Sequence, residues 1–222
     1  MLSLIIADAA LETVPKVITK HPAVVKHASK KGKPPHEILL DRSYHHAAML
    51  KLDNAGKRGR PDLIHFALLE ATLIPLYQKN MLTIYVHTIA GKAIFLHENV
   101  RLPKSYFRFE GLMEELFKEG KVKSEDKVLM EVKDMLFEDL LNVIKPTKVI
   151  GLSRTGAKSN AETVARSIDN KSAIVIGGFP RSHFPSTVSE KLDCLYSISE
   201  YSLEAHVVIA RILYEYEKLL DI

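Results

Sequence analysis

The chain has 222 residues, 46% apolar and 26% charged, the size and make-up of one globular α/β unit with room for an insertion. Its formal net charge is +4, an excess that permits an anionic partner without selecting one. Cys194 is the single cysteine, which excludes an intramolecular disulfide and a cysteine-rich zinc centre and suits a reducing compartment.

The apolar start, Met1 to Ala7, is too short for a membrane span or a signal core and meets Asp8 at once, so a cytosolic protein with no membrane partner is expected. Leu2 to Ala7 reads as a buried strand and Leu11 to Lys20 as a helix opened by acids. Lys26 to Pro35 is basic and broken by Gly32 and two prolines, which predicts a mobile loop, either simply solvated or serving as an RNA-gripping arm. Ser43 to Leu52 reads as a helix. The basic loop Asn54 to Arg60 then stops at Pro61, a suitable first helical residue, with Asp62 in the electropositive first turn of a helix that continues through Leu63 to Leu73. Leu82 to His87 and Ala93 to His97, on either side of Gly91, predict two strands joined by a turn. A third basic segment, Asn99 to Phe109, follows. From Ser124 to Lys145 apolar residues recur at helical spacing, acids open the segment and Pro146 ends it, which predicts one long helix.

The last third changes style. Lys148 to Leu152, Ala173 to Ile176 and Leu192 to Tyr196 read as short buried strands, each running into a loop: Ser153-Arg154-Thr155-Gly156, Gly177-Gly178-Phe179-Pro180 and Ser197-Ile198-Ser199-Glu200-Tyr201. A helix from about Leu203 to Leu220 closes the chain. Strand, loop and helix in alternation predict a mainly parallel sheet with ligand loops at the carboxyl ends of its strands.

The sequence has no G-x-G-x-x-G after a strand, no Walker loop and no G-x-S-x-G, so dehydrogenase, NTPase and hydrolase readings lack their parts. Neighbouring His45 and His46 cannot both face one metal from a helix, and no metal is expected. The three late loops suit a small adenosyl ligand better. Gly177 and Gly178 would admit it to the backbone, Ser197 and Ser199 would add short donors, and Leu152, Ile176, Leu195 and Ile198 would wall the adenine. A second constellation comprises Arg58, Arg60 and Asp62 with Arg101, Lys104 and Arg108. Its guanidiniums suit phosphates and base edges, and Tyr106 and Phe107 offer faces on which a base could stack.

Taken in order, Arg58 to Asp62, Val86-His87-Thr88, Asn99-Val100-Arg101-Leu102-Pro103, Ile176-Gly177-Gly178-Phe179-Pro180 and Tyr196-Ser197-Ile198-Ser199 resemble the Nep/Emg family of SPOUT-class rRNA methyltransferases, from Leu2 to the final helix. The resemblance implies one domain over 1–222, with a family insertion near 26–60, and a C-terminal trefoil knot over about 148–222 that wraps S-adenosylmethionine. It also implies a homodimer and methyl transfer to ring nitrogen 1 of a pseudouridine in a small-subunit rRNA hairpin during ribosome biogenesis. Proteins of the small subunit become candidate partners, in the cytoplasm, or in the nucleolus if the source is eukaryotic. Carried over by position, Leu152, Gly178 and Tyr196 to Tyr201, with Glu200 among them, would hold the cofactor. Arg58, Arg60, Arg101, Lys104 and Arg108 would hold RNA.

Arg60 or Arg101 would then stabilise negative charge developing on the base, while Asp62 orients Arg60, caps its helix or accepts the proton. Two departures stand out: Arg181-Ser182-His183 follows the Gly-Gly-Phe-Pro loop where the family pattern has His-Gly-Asp, and Lys104 stands where arginine is common. An rRNA-binding assembly factor with dispensable methyl transfer, and a tRNA methyltransferase with the same cofactor site, are the competing readings.

Overall fold

The computed structural model describes residues 1–222. Its strands are β1 (Leu2–Ala9), β2 (Leu82–Thr88), β3 (Lys92–Leu96), β4 (Lys121–Ser124), β5 (Lys127–Asp134), β6 (Val149–Lys158), β7 (Ala173–Gly177) and β8 (Cys194–Ser197). They form one sheet in the order β4-β5-β3-β2-β1-β7-β6-β8. The block from β2 to β8 is parallel, and β3, β5 and β4 extend it as antiparallel strands.

Alternation along the central strands builds two cores. Leu4 and Ile6 of β1 and Ile174 and Ile176 of β7 face the larger one, against helices α3 (Pro61–Leu73), α5 (Tyr106–Glu119) and α9 (Ala205–Leu219). Ile5, Ala7, Ala173 and Val175 face the smaller one, against Phe137 and Leu140 of α6 (Phe137–Ile144) and Val188 of α8 (Ser186–Ser189). The remaining helices are α1 (Pro22–Lys31), α2 (Arg42–Met49), α4 (Pro75–Gln78) and α7 (Ala161–Ala165). A third apolar cluster, with Val14, Ile18, Val24, Ala28, Ile38, Leu40, Ala48, Met49 and Leu52, lies entirely within the early part of the chain.

Three expectations are corrected. The long helix over Ser124 to Lys145 is instead strand β5 followed by α6. Val128 and Val132 fit helical spacing and a two-residue repeat alike, while the intervening Met130 fits only the latter. Edge strand β3 decides between them, because it gains a partner in the register Leu96↔Met130 and Ile94↔Val132. Glu125, at φ 54°, turns the chain from β4 into β5. The helix over Leu11 to Lys20 is also absent: Thr13 bridges Leu39 in an antiparallel contact, and only Lys16–Ile18 form a single 3₁₀ turn. Pro15 removes a helix donor and drives Val14 into an extended conformation.

The loop expected over Lys26 to Pro35 is mostly helix, α1 (Pro22–Lys31). His21 caps it by accepting from the Ala23 N–H at 3.2 Å, Pro22 occupies its first turn, and Gly32 ends it in a left-handed conformation. Val24, His27 and Ala28 form its buried stripe.

Candidate functional site

Parallel strands end on a common side of the sheet, and there β6, β7 and β8 open a cavity of about 610 Å³. β6 pairs with β8 through Leu152, bulges away over 153–156, and pairs with it again at Ala157 and Lys158. Gly156 makes this crossing possible, since a Cβ there would stand 2.5 Å from the Tyr196 carbonyl carbon and 2.6 Å from its nitrogen. Leu152, Ile176, Gly177, Gly178, Tyr196, Ser197, Ile198, Ser199 and Tyr201 all line the cavity, with Arg60 at its edge.

Leu195 and Glu200 do not line it. The Leu195 side chain packs beside Gly151, where an added Cβ would meet it at 2.9 Å, and Glu200 is exposed in a 3.3 Å ion pair with Lys158. The glycines and serines also do different work from that expected. A Cβ on Gly178 would stand 2.7 Å from Ile6 Cγ2 and 2.8 Å from Ala9 Cα, so the glycine admits strand β1. Backbone bonds fix that contact: Gly178 donates to Ala7 and accepts from Ala10, both at 2.8 Å. A Cβ on Gly177 would meet the Phe179 ring at 2.7 Å. The Ser197 hydroxyl donates to the Ser199 carbonyl at 2.9 Å, and the Ser199 hydroxyl accepts from the Tyr201 N–H at 3.0 Å, so both build the loop.

Sequence reasoning missed several lining residues. Leu63 on α3, and Glu204, Ala205 and Val208 at the start of α9, join the cavity through tertiary packing alone. Arg154 and Arg181 line it as exposed cations without a carboxylate partner; each stood in a loop already singled out, and this was the available signal.

The loop before α3 is held by three ion pairs, each tying a cation of 57–60 to a carboxylate. Arg60 forks onto Asp62, Nε to Oδ1 and Nη2 to Oδ2, both at 2.8 Å, and this bond with the charge behind it raises the guanidinium pKa. Arg58 forks likewise onto buried Glu12, at 2.7 and 2.6 Å, which raises its pKa by the same means. Its bidentate face is therefore already occupied. Lys57 donates to Asp8 at 2.7 Å and to the His183 carbonyl at 2.6 Å, and lies 4.6 Å from the centre of the Phe179 ring. Lys57 thus connects β1, the 53–60 loop and the loop that follows β7.

Arg101, Lys104 and Arg108 are exposed, and none forms an ion pair. Buried Val100 and Leu102 anchor their segment, and the Pro103 carbonyl accepts from His65 Nε2 at 2.7 Å. His65 stands three residues beyond Asp62 on α3, which brings the segment beside the Arg60–Asp62 end of that helix. Phe107 is 76% exposed, whereas the Tyr106 hydroxyl is committed to Asp41 and is half-buried; burial, then that bond, raise its pKa. Of the two aromatic faces expected for base stacking, Phe107 is the open one.

The model of the EMG1/NEP1 methyltransferase family matches residues 4–217. The chain is 41% identical over 223 residues to the ribosomal RNA small subunit methyltransferase Nep1 of Staphylothermus marinus, covering 100% of this chain and 97% of that one. It is 41% identical to the Saccharolobus solfataricus protein of the same name, over 95% of this chain and 94% of that one. The crystal structure of Archaeoglobus fulgidus Nep1 bound to S-adenosylhomocysteine superposes with a TM-score of 0.89 at 35% identity, over 99% of both chains. A family match across nearly the whole sequence and a relative at 41% identity make this chain a member of the EMG1/NEP1 methyltransferase family.

Proposed function

We propose that this protein is an S-adenosylmethionine-dependent methyltransferase that methylates ring nitrogen 1 of a pseudouridine in a small-subunit rRNA hairpin, as a step in small-subunit biogenesis. The observation that carries the reading is the cavity of about 610 Å³ at the carboxyl ends of β6 to β8, with a charge-fixed guanidinium at its edge. Such a volume suits a ligand of this class, for which pockets run to roughly 300–1,000 Å³. Leu152, Ile176 and Ile198 supply apolar walls, and backbone amides and Arg154 supply polar ones. A relative crystallised with S-adenosylhomocysteine and relatives named for small-subunit rRNA support cofactor and substrate class.

The cofactor supplies an electrophilic methyl group on a sulfonium. The chain's residues must present the nucleophile and manage its charge. Nitrogen 1 of pseudouridine loses its proton as it becomes nucleophilic, leaving negative charge on the ring. Arg60, held by both oxygens of Asp62, stabilises that charge, and loss of one such pre-set donor costs roughly 3–4 kcal/mol of barrier. Asp62 serves as the orienting partner in this account, because both its oxygens are engaged. Arg101, Lys104 and Arg108, free of carboxylates, grip the RNA backbone, and Arg101 is the second candidate for the charge-stabilising role.

Further parts of the reading concern the whole molecule. The re-crossing of β8 by residues 153–158 is consistent with a trefoil knot over about 148–222 in one domain with an early insertion. A homodimer is favoured by the largely apolar α3, whose Phe66 and Leu73 are 52% and 56% exposed beside α9, where Tyr214 is 60% exposed. A cytoplasmic setting, and contact with small-subunit proteins, follow from the substrate. Calorimetric titration with S-adenosylhomocysteine tests the site. Wild type is expected to bind and Tyr201→Ala, at an 80% exposed residue that lines the cavity, to weaken binding with unfolding unchanged; a wild type that fails to bind would overturn the proposal.

A further inference from the structure

The positive charge of this protein is concentrated in one place. Residues 15–57 hold nine lysines and arginines against three acids, Glu37, Asp41 and Asp53, a net of +6, whereas the whole chain, with 31 basic and 27 acidic residues, carries +4. The other 179 residues therefore net −2. Part of that excess is neutralised across the boundary, where Lys31, Lys33 and Lys57 pair with Glu110, Glu114 and Asp8, so what a polyanion meets on the unit is its unpaired lysines.

The unit has its own apolar cluster and a built surface. Lys31 and Lys33 are not available to a ligand: Lys31 pairs with Glu110 at 2.8 Å and with Glu114, and Lys33 pairs with Glu114 at 2.7 Å. These bonds bind the unit to α5. Lys16, Lys20, Lys26 and Lys30 are all exposed and form no ion pair. Lys26 and Lys30 are one turn apart on the outer side of α1, opposite buried Val24 and Ala28. Lys16 and Lys20 flank a surface groove of about 600 Å³, completed by Thr19, Val25, Pro35 and His36. The groove shares no residue with the cofactor cavity.

We infer that this groove, with the outer side of α1, is a second RNA surface that takes backbone phosphates of the substrate beyond the target loop. The inference rests on the rRNA substrate proposed above. A row of unpaired lysines with one histidine and little aromatic surface suits phosphates rather than bases, so the contact adds affinity and register without reading sequence. Methylation chemistry is unaffected by the groove, whose role is to hold the substrate.

The test is the salt dependence of binding to an rRNA hairpin carrying a long stem, between 50 and 300 mM salt, for wild type and for Lys16→Ala/Lys20→Ala. Losing two phosphate contacts should flatten the slope of log K against log salt by about 1.4–1.8, or roughly 25- to 60-fold in affinity at 0.1 M salt. KM for RNA should rise with kcat and S-adenosylhomocysteine affinity unchanged. Lys121→Ala/Lys123→Ala, equal in charge but on the exposed edge strand β4, should leave the slope in place. A wild-type slope in Lys16→Ala/Lys20→Ala, or equal flattening in both double variants, would overturn the inference while leaving the methyltransferase reading intact. A wild type that binds no hairpin overturns both.

Discussion

Replacing Lys57 by Met keeps the length of the side chain and removes its charge. The structure gives Lys57 three partners: Asp8 at 2.7 Å, the His183 carbonyl at 2.6 Å and the face of Phe179 at 4.6 Å. The Lys57 and Asp8 side chains are only 12% and 10% exposed, so water cannot replace the lost partner well. Stranding one member of a buried pair typically costs about 3–5 kcal/mol, and slight access of solvent here argues for the lower end, about 3 kcal/mol. For a chain of this length that corresponds to a fall in melting temperature of roughly 6–12 °C. The loop over 179–184 also loses its tie to the 53–60 loop, so affinity for S-adenosylhomocysteine should drop in the same variant. Thermal unfolding at fixed protein concentration and calorimetry measure the two effects. Asp8→Asn in the Lys57→Met background should recover part of the stability, because it removes the stranded charge. A melting temperature within 2 °C of wild type, with cofactor affinity intact, would refute the reasoning.

Three other outcomes follow from the geometry. Asp62→Asn retains an acceptor for Arg60 and should lower kcat by less than about tenfold, whereas a loss of 10²-fold or more would assign Asp62 as the proton acceptor. Ser182 is held at φ 110°, a backbone conformation that favours glycine; Ser182→Gly should raise stability by about 1 kcal/mol in denaturant unfolding, and a decrease would show that the hydroxyl matters more than the backbone.

The third outcome concerns buried His27 and His45. The Asp41 N–H donates to His45 Nδ1 at 3.1 Å, which leaves the proton on Nε2 to be donated to His27 Nδ1 at 3.0 Å. Burial, then the neighbouring His27, push the His45 pKa from 6.5 down to about 4, and burial lowers that of His27. The unfolded chain therefore binds more protons below about pH 6.5, so stability is full above that pH and declines toward pH 4, by roughly 3 kcal/mol for His45. Unfolding between pH 7 and pH 4.5 should show this decline in wild type and less of it in His45→Gln; identical profiles would contradict it.

The parallel block was legible because β1, β7, β8 and the first half of β6 are short apolar runs, whereas the loop expected over 153–156 lies inside β6, which runs on to Lys158 and pairs again with β8. β5 was not legible. Val128 and Val132 satisfy both repeats, and the deciding partner, β3, lies more than thirty residues earlier in the chain. Helix α1 hid behind its lysines, although Pro22 and Gly32 mark its two ends and Val24, His27 and Ala28 its inner side. In the site, nine of the eleven expected cofactor residues line the cavity, since a loop following a parallel strand must lie at that edge. The detailed roles were less readable: Gly178 serves β1, and Lys57 joins residues 49 and 126 positions away, a relation no local pattern contains. Arg58 and Arg60 were equivalent as sequence, and only the fold shows one fork buried on Glu12 and the other at the cavity.

The measurement that bears most directly on the account is methyl transfer from labelled S-adenosylmethionine to two small-subunit rRNA hairpins, identical except for pseudouridine or uridine at the target position. The account predicts label in the pseudouridine hairpin alone, on ring nitrogen 1. Tight binding of both RNAs with no transfer to either would contradict it and leave an rRNA-binding assembly factor in its place.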